Sequence, residues 1–521
     1  MKSNFADQPL FPAPGKTPRD DTAAVMKFYR LPKAFPPAAL AEAREAARSL
    51  NDAASGGSGR LDLRKKFIFT CDPATARDYD DALSLETDRK GNRVLGVHIA
   101  DVSHYVRPGG ALDREAYRRS TSVYLCDRVV PMLPEELCNG VCSLVPNEDR
   151  LAFSVFMTFD KDGELVKRSF AKSVIRSKAR FAYEEVMAVI ASAGGGRKAK
   201  VGKREARTIL AINALAQQLR AKRFAAGALD LEVPEAEVVL DGNGEMTGIV
   251  TRPYDASHQM IEECMVAANE AVAKELWPRG VKILARLHEP PDPEKLMMLR
   301  AELRGLGVKM GNIENPQVFA RFLKSIKKNP LYPTLATMVL RSMKRAVYDA
   351  TAIGHFGLAK KYYAHFTSPI RRYPDLTLHR QLANWLEKKN AKVPPKLLAT
   401  WAAHTSEREE IAAEAERGLL EIKKYRLLER QLETRQVLDY DAVVSKCTPF
   451  GCFVEIPELA TSGLVHISLL SRRFVRFHES DQSLSAPGGG SWRVGDRMRV
   501  HVARVDFRER KLDFVPCASR R

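Results

Sequence analysis

The 521-residue sequence has no stretch approaching the roughly 18 uninterrupted apolar residues that a membrane-spanning helix needs. Its first residues, MKSNFADQPLFPAPGK, lack the apolar centre of a secretory signal. Together these absences lead to the expectation of a cytoplasmic protein that is not inserted in a membrane. CxxC pairs are also missing: eight cysteines are scattered from Cys71 to Cys517, and Cys138 and Cys142 have neither a second pair nor a nearby histidine to complete a zinc site. They are expected to be reduced and mostly buried. Acidic residues are in deficit, 64 Asp and Glu against 83 Lys and Arg, which leaves a net charge of +19. Such an excess favours a polyanionic partner, nucleic acid or a membrane surface, without choosing between them. Hydrophobic residues at 45% and charged residues at 28% exclude wholesale disorder and fibrous repeats.

Residues 1 to about 30 carry scattered Pro, Asp and Lys with little periodicity, the pattern of a flexible arm. FPPAALAEAREAARSL (35–50) has Pro at its start and helix formers through its body, and it runs into the linker DAASGGSG. Strands are predicted at 63–70, 80–86 and 94–102, then hairpins at 153–175, turning at Asp162-Gly163, and at 236–250. Helical spacing of apolar residues marks 206–227, 258–277, 332–350 and 397–433. The Gly- and Lys-rich insert 194–205 reads as an exposed loop. After residue 436 five strand-like segments fill about 85 residues, which matches an OB-fold barrel. The fold class is therefore α+β: a 1–59 arm and linker helix, a mixed α/β domain over 60–436, and an all-β barrel over 437–521.

Two segments carry chemistry. The first, CDPATARDYDD, places Asp72, Asp78, Asp80 and Asp81 within ten residues between two apolar strands. Crowded carboxylates repel one another unless cations neutralise them, and hard oxygen donors suit magnesium or manganese. A solvated acidic turn is the plain alternative. The second is YAHFTSPIRRYPDLTLHR (363–380), in which Arg371 and Arg372 follow a Ser-Pro turn. A guanidinium fork there could hold phosphate oxygens, or the arginines could simply pair with acidic neighbours at a helix start.

With FTCDPATARDYDDALSL, GVHIADVSHYV, STSVYL, VPMLPEELCNGVCSLVPNEDRLAFSV, MIEECMVAAN, GHFGLA and HFTSPIRRYPDLTLHR in this order, the chain resembles the ribonuclease II and ribonuclease R family of 3′-to-5′ exoribonucleases. VVSKCTPFGCFVEI and GLVHISLL resemble its S1-type RNA-binding barrel. The resemblance implies a processive, magnesium-dependent hydrolase, with manganese as a substitute, that releases nucleoside 5′-monophosphates from single-stranded RNA and engages it as a monomer. It assigns Asp72, Asp78, Asp80 and Asp81 to the metal, with Asp80 the residue whose loss stops catalysis but spares RNA binding. It assigns Arg371, with Arg372 beside it, to the phosphate, and Tyr124 to stacking on 3′-terminal bases. Glu409 aligns near the terminal nucleotide, and Phe450, Phe453 and His466 fall in the barrel's RNA-binding segments; Phe453 reads equally as core.

Two departures accompany this match. About 60 residues precede the catalytic region, too few for the paired cold-shock domains common in the family, while RLPKAFPPAALAEAREAARSL resembles the linker that follows them. The position of a second base-clamping aromatic found in some members of the family falls near Glu237-Val238, where this chain has no aromatic ring. A rival reading, a catalytically silent RNA-binding protein of the same fold, would be favoured by loss of one or more aspartates. All four are present.

Overall fold

The computed structural model describes residues 11–517 apart from 51–58, 197–199, 232–235, 252, 312–314, 330, 390–391, 436–437, 480–481 and 489. The expected linker 52–59 and the middle of the 194–205 insert therefore lie largely outside the described residues.

A seven-stranded sheet organises the first domain. Its strands are β1 (Leu61–Asp62), β2 (Phe69–Asp72), β3 (Asp81–Thr87), β4 (Arg93–Ala100), β7 (Asp149–Phe159), β8 (Leu165–Arg176) and β9 (Ala179–Ala182), in the order β1-β8-β7-β4-β3-β2-β9. The short pair β5 (Val123–Tyr124) and β6 (Val129–Val130) stands apart from it. β1 on β8 and β2 on β9 are parallel, and the other neighbours run antiparallel. Alternation along the strands sends Phe69, Leu83, Val97 and Phe153 to a core shared with helices Tyr183–Ala193, Lys203–Ala225 and Ala256–Leu276. Ile68, Ala82, Ala100 and Leu151 face the opposite way, against helix Pro37–Arg48, Leu112 and the start of helix Tyr373–Leu386. Covering both faces of the sheet buries the strands and fixes their register.

Three expectations need correction. Residues 11–31 are not a loose arm: they include helix Asp21–Phe28, and its Val25 and Met26, with Leu31 beyond its end, pack on Ala415, Leu419 and Ile422 of the long helix Pro395–Glu433. Asp21, fully buried, binds Lys423 at 3.0 Å and Arg426 at 2.8 Å. Nothing local signals this packing, because its partners come from a helix about four hundred residues away. The predicted strand 63–70 is strand only at its end: Arg64 turns back to bind Asp62 and Asp149, and regular pairing in β2 starts at Phe69. The predicted helix 332–350 stops at Ser342; Val347–Asp349 instead becomes strand β13, paired with β12 (Ala285–Leu287). β-Branched and aromatic residues there favour the sheet once a partner strand is available.

The hairpin β10 (Ala236–Leu240) and β11 (Met246–Thr251) packs through Val238 and Met246 against Tyr425 and Leu428 and joins the core of the second domain. That domain is a closed barrel of β14 (Tyr440–Thr448), β15 (Gly451–Ile456), β16 (Thr461–His466), β20 (Arg497–Asp506) and β21 (Lys511–Pro516). An added three-stranded sheet, β17 (Arg476–His478), β18 (Ser483–Ala486) and β19 (Gly490–Trp492), is inserted between β16 and β20. Among the described residues, no helix is long and apolar enough to cross a membrane.

Candidate active site

β2 ends on Asp72 and β3 begins on Asp81, and the two strands are neighbours, so the eight residues between them form a wide loop at the strand ends. That loop is held by the backbone. Ser143 Oγ accepts from the Tyr79 N–H at 3.0 Å and donates to the Arg77 carbonyl at 2.7 Å, and the Arg180 guanidinium donates to the carbonyls of Pro73 and Ala74. The Ala100 N–H fixes the Asp80 carbonyl at 2.9 Å. Fixing the loop at both ends holds the four carboxylates close despite their repulsion.

The second segment meets the first across 290 residues of sequence. The Ile370 N–H donates to Asp80 Oδ1 at 2.9 Å, and Arg371 Nε lies 3.7 Å from Asp80 Oδ2 while its Nη2 donates to Ser368 Oγ at 3.0 Å. Buried Asp375 shapes this turn by accepting from the Ser368 N–H at 2.8 Å and from Arg372 Nη2 at 2.7 Å. Pro374 and Asp375 open helix Tyr373–Leu386, a rigid N-terminus that suits both residues. Arg371 and Arg372 thus part ways. Arg371 is the cation whose charge reaches Asp78, Asp80 and Asp81, whereas Arg372 is turned into its pair with Asp375.

The electrostatics of the cluster are those of too many negative charges in too little water. Burial first, and then the charges of Asp81, Asp80 and Asp78, push the Asp72 carboxyl up to about 8. Burial pushes Asp81 up to about 7 against the pull of Arg371, and it raises Asp78 and, still more, Asp80. Asp72 Oδ2 is buried without a hydrogen-bond partner. A lone buried carboxylate oxygen beside three more aspartates fits a divalent cation by charge and by donor hardness. The set is open rather than a closed cage: among the described residues, no three of these aspartates bring ligand oxygens within 4.8 Å of one another.

β5 is stitched to the arginine turn. The Ser122 N–H donates to the Arg371 carbonyl at 3.0 Å, the Tyr373 N–H donates to the Ser120 carbonyl at 2.9 Å, and Thr121 bridges Arg372. This carries Tyr124, a residue 42% exposed, to the cluster. The hydroxyl is pushed up by desolvation, opposed by Arg371 and reinforced by Asp78 and Asp80, whose charges it therefore feels. Glu409 lies elsewhere in the network: both its oxygens bind Arg286, at 2.5 and 2.9 Å, and that guanidinium lies 4.7 Å from the centre of the Tyr348 ring. Tyr348 in turn hydrogen-bonds His365 at 2.8 Å. Two residues with no sequence signal also border the cluster. Arg180 draws the Asp72 carboxyl down, and Tyr183, stacked on His258 at 4.0 Å, has its hydroxyl raised by burial and by Cys71, Asp81 and Asp72.

In the barrel, Cys452, Val454 and Ile456 point inward, leaving the half-buried Phe453 on the outer side with its ring 6.0 Å from that of exposed Phe450. Gly451 between them has φ +146°, and a Cβ there would lie 2.2 Å from the Val465 carbonyl oxygen. Glycine is therefore required for the close approach of β15 to β16. His466, opposite Gly451, is exposed and hydrogen-bonds Ser468 at 2.8 Å.

Residues 60–388 match the RNB domain and residues 439–515 match the S1 RNA-binding domain. The chain is 43% identical to the ribonuclease R of Thermotoga maritima over 88% of its own length and 65% of that protein, and 37% identical to that of Aquifex aeolicus over 94% and 69%. It thus spans about two thirds of the length of these curated relatives. Among solved structures, ribonuclease R of Mycoplasma genitalium in complex with ribose-methylated single-stranded RNA superposes with a TM-score of 0.87 at 28% identity, covering 96% of this chain and 78% of that one. With both domains matched in order and the four-aspartate loop closed against the arginine turn, this chain belongs to the RNB family of ribonuclease R-like proteins.

Proposed function

We propose that the protein is a hydrolytic 3′-to-5′ exoribonuclease that shortens single-stranded RNA and releases nucleoside 5′-monophosphates. The observation that carries this reading is the meeting of Asp72, Asp78, Asp80 and Asp81 with Arg371: a concentration of buried carboxylates, a guanidinium beside it, and an exposed tyrosine within reach of the same charges.

Asp72, Asp78, Asp80 and Asp81 would hold magnesium or manganese, which when bound supplies an activated water and steadies the leaving 3′ oxygen. Arg371, 42% exposed, offers the open side of its guanidinium to the phosphate and offsets charge as it builds up. Arg372 serves as the splint that orders the turn through Asp375. Tyr124 supplies a face on which any base can stack, so the grip is independent of sequence. Glu409, already neutralised by Arg286, orients that arginine and the Tyr348 ring beside the turn. Phe450, Phe453 and His466 form an aromatic patch on the barrel that gathers the strand, and the +19 net charge draws it in. Eight cysteines free of disulfides suit a reducing compartment, and we place the enzyme in the cytoplasm, acting as a monomer on RNA.

Asp80→Asn tests the assignment. It removes one charge beside Arg371 while keeping the side chain's size, so hydrolysis of a magnesium-supplemented RNA should fall by orders of magnitude with binding retained. Near-normal hydrolysis would remove the metal-site reading. Loss of turnover in the wild type on chelation is the companion result. Should purified wild type bind RNA tightly and leave it intact with either metal, the silent RNA-binding alternative would stand.

A further inference from the structure

Three side chains meet at the seam of the S1 barrel, on the far domain from the aspartate loop. Asp439 immediately precedes β14, His501 lies in β20, and Cys517 immediately follows β21. β14 pairs with β20 at Tyr440 and Val500, and β20 pairs with β21 at His501 and Val515. Continuing the first register by one residue sets Asp439 opposite His501. The Cys517 N–H extends the second ladder by donating to the Arg499 carbonyl at 2.8 Å. Ladder geometry thus delivers a carboxylate, an imidazole and a thiol to one point, with one atom from each within 4.8 Å of the others.

The arrangement is a ligand set and not a catalytic relay. Cys517 Sγ lies 3.8 Å from His501 Nδ1, and Asp439 Oδ1 lies 4.0 Å from the same nitrogen. A relay needs nucleophile and carboxylate on opposite ring nitrogens, whereas convergence on one leaves room for a single ion among three donors. Metal–ligand bonds of about 2.0–2.3 Å in a tetrahedron put neighbouring donors about 3.3–3.6 Å apart. Contraction on the order of 0.5 Å by side-chain rotation closes both measured gaps. Arg499 Nη2 holds the other carboxylate oxygen of Asp439 at 3.1 Å, which aims Oδ1 at the histidine. Partial exposure of Asp439 and His501 leaves the fourth position to water. Thiolate and imidazole donors select a borderline-soft ion over magnesium.

We propose that Asp439, His501 and Cys517 form a site for a zinc-class divalent ion that pins the two ends of the barrel strand order together, distinct from the aspartate cluster of the RNB domain.

The test uses the full-length chain, stripped with chelator, loaded with excess magnesium and titrated with cobalt(II). Expected are a thiolate-to-cobalt charge-transfer band saturating at one equivalent, its displacement by zinc, and a zinc-dependent rise in the unfolding temperature. Cys517→Ser should abolish the band and the temperature rise, and His501→Gln should weaken cobalt binding by about 100-fold. Cys126→Ser, at the exposed thiol in the RNB domain, should change neither. Oxygen-only binding at the aspartate loop gives no thiolate band, so the two sites are distinguished. Absence of the band in folded wild type, or its persistence in folded Cys517→Ser, would overturn the proposal.

Discussion

Asp72→Asn should stabilise the metal-free protein at alkaline pH while abolishing the proposed chemistry. An unfolded chain's aspartate keeps its ordinary value of 3.8, whereas the folded carboxyl is pushed up to about 8 by burial and by its three neighbours. Between these values the folded state binds a proton that the unfolded state has released. Stability is therefore present at acid pH and lost progressively as pH rises from about 4 to about 8. Four pH units at about 1.4 kcal/mol each set a ceiling of about 6 kcal/mol. Water entering the cleft and proton sharing with Asp81 bring the expected effect to about 2–3 kcal/mol. Asparagine cannot ionise and keeps the shape, so it escapes this loss. Urea unfolding in chelator, followed by circular dichroism, should show an advantage for Asp72→Asn that is small at pH 5 and grows to that size at pH 8.5. Millimolar magnesium should close the gap by stabilising the wild type. A pH-independent gap, or an Asp72→Asn protein less stable than wild type in chelator at pH 8.5, would refute the argument that unneutralised charge defines the site.

Other substitutions probe separate parts. Removing the Tyr124 ring should cost about 1–3 kcal/mol of stacking and change the length of the final oligonucleotide more than the initial rate on long RNA, read by product sizing. Asp21→Ala leaves Lys423 buried without its carboxylate and should cost about 3–5 kcal/mol, with protease cutting first near residues 11–31. Phe450→Ala and Phe453→Ala should each weaken RNA binding in a filter assay with little loss of barrel stability, since both rings lie outside the barrel core. A large drop in unfolding temperature for Phe453→Ala would assign that ring to packing.

Much of the fold was legible because its signals are local. The hairpin at Asp162-Gly163, the apolar spacing of the helices and the five short barrel strands each announce themselves within a dozen residues. The aspartate loop was equally visible, as four carboxylates between two apolar strands. What could not be read were contacts made by long closure. Nothing around Asp21 foretells Lys423 and Arg426, and nothing in the Arg371-Arg372 dipeptide says that one guanidinium faces Asp80 while the other is spent on Asp375. Tyr183 and Arg180 reach the site only because β9 pairs in parallel with β2. The Asp439, His501 and Cys517 cluster has no motif spacing at all, since the barrel's strand order creates it.

The most direct test of the exoribonuclease reading is a time course with 5′-labelled single-stranded RNA, purified protein and magnesium, resolved at single-nucleotide length. The account predicts a ladder that shortens from the 3′ end, with nucleoside 5′-monophosphates as the released product and none formed by Asp80→Asn. RNA left intact, cut internally, or shortened from the 5′ end would contradict it.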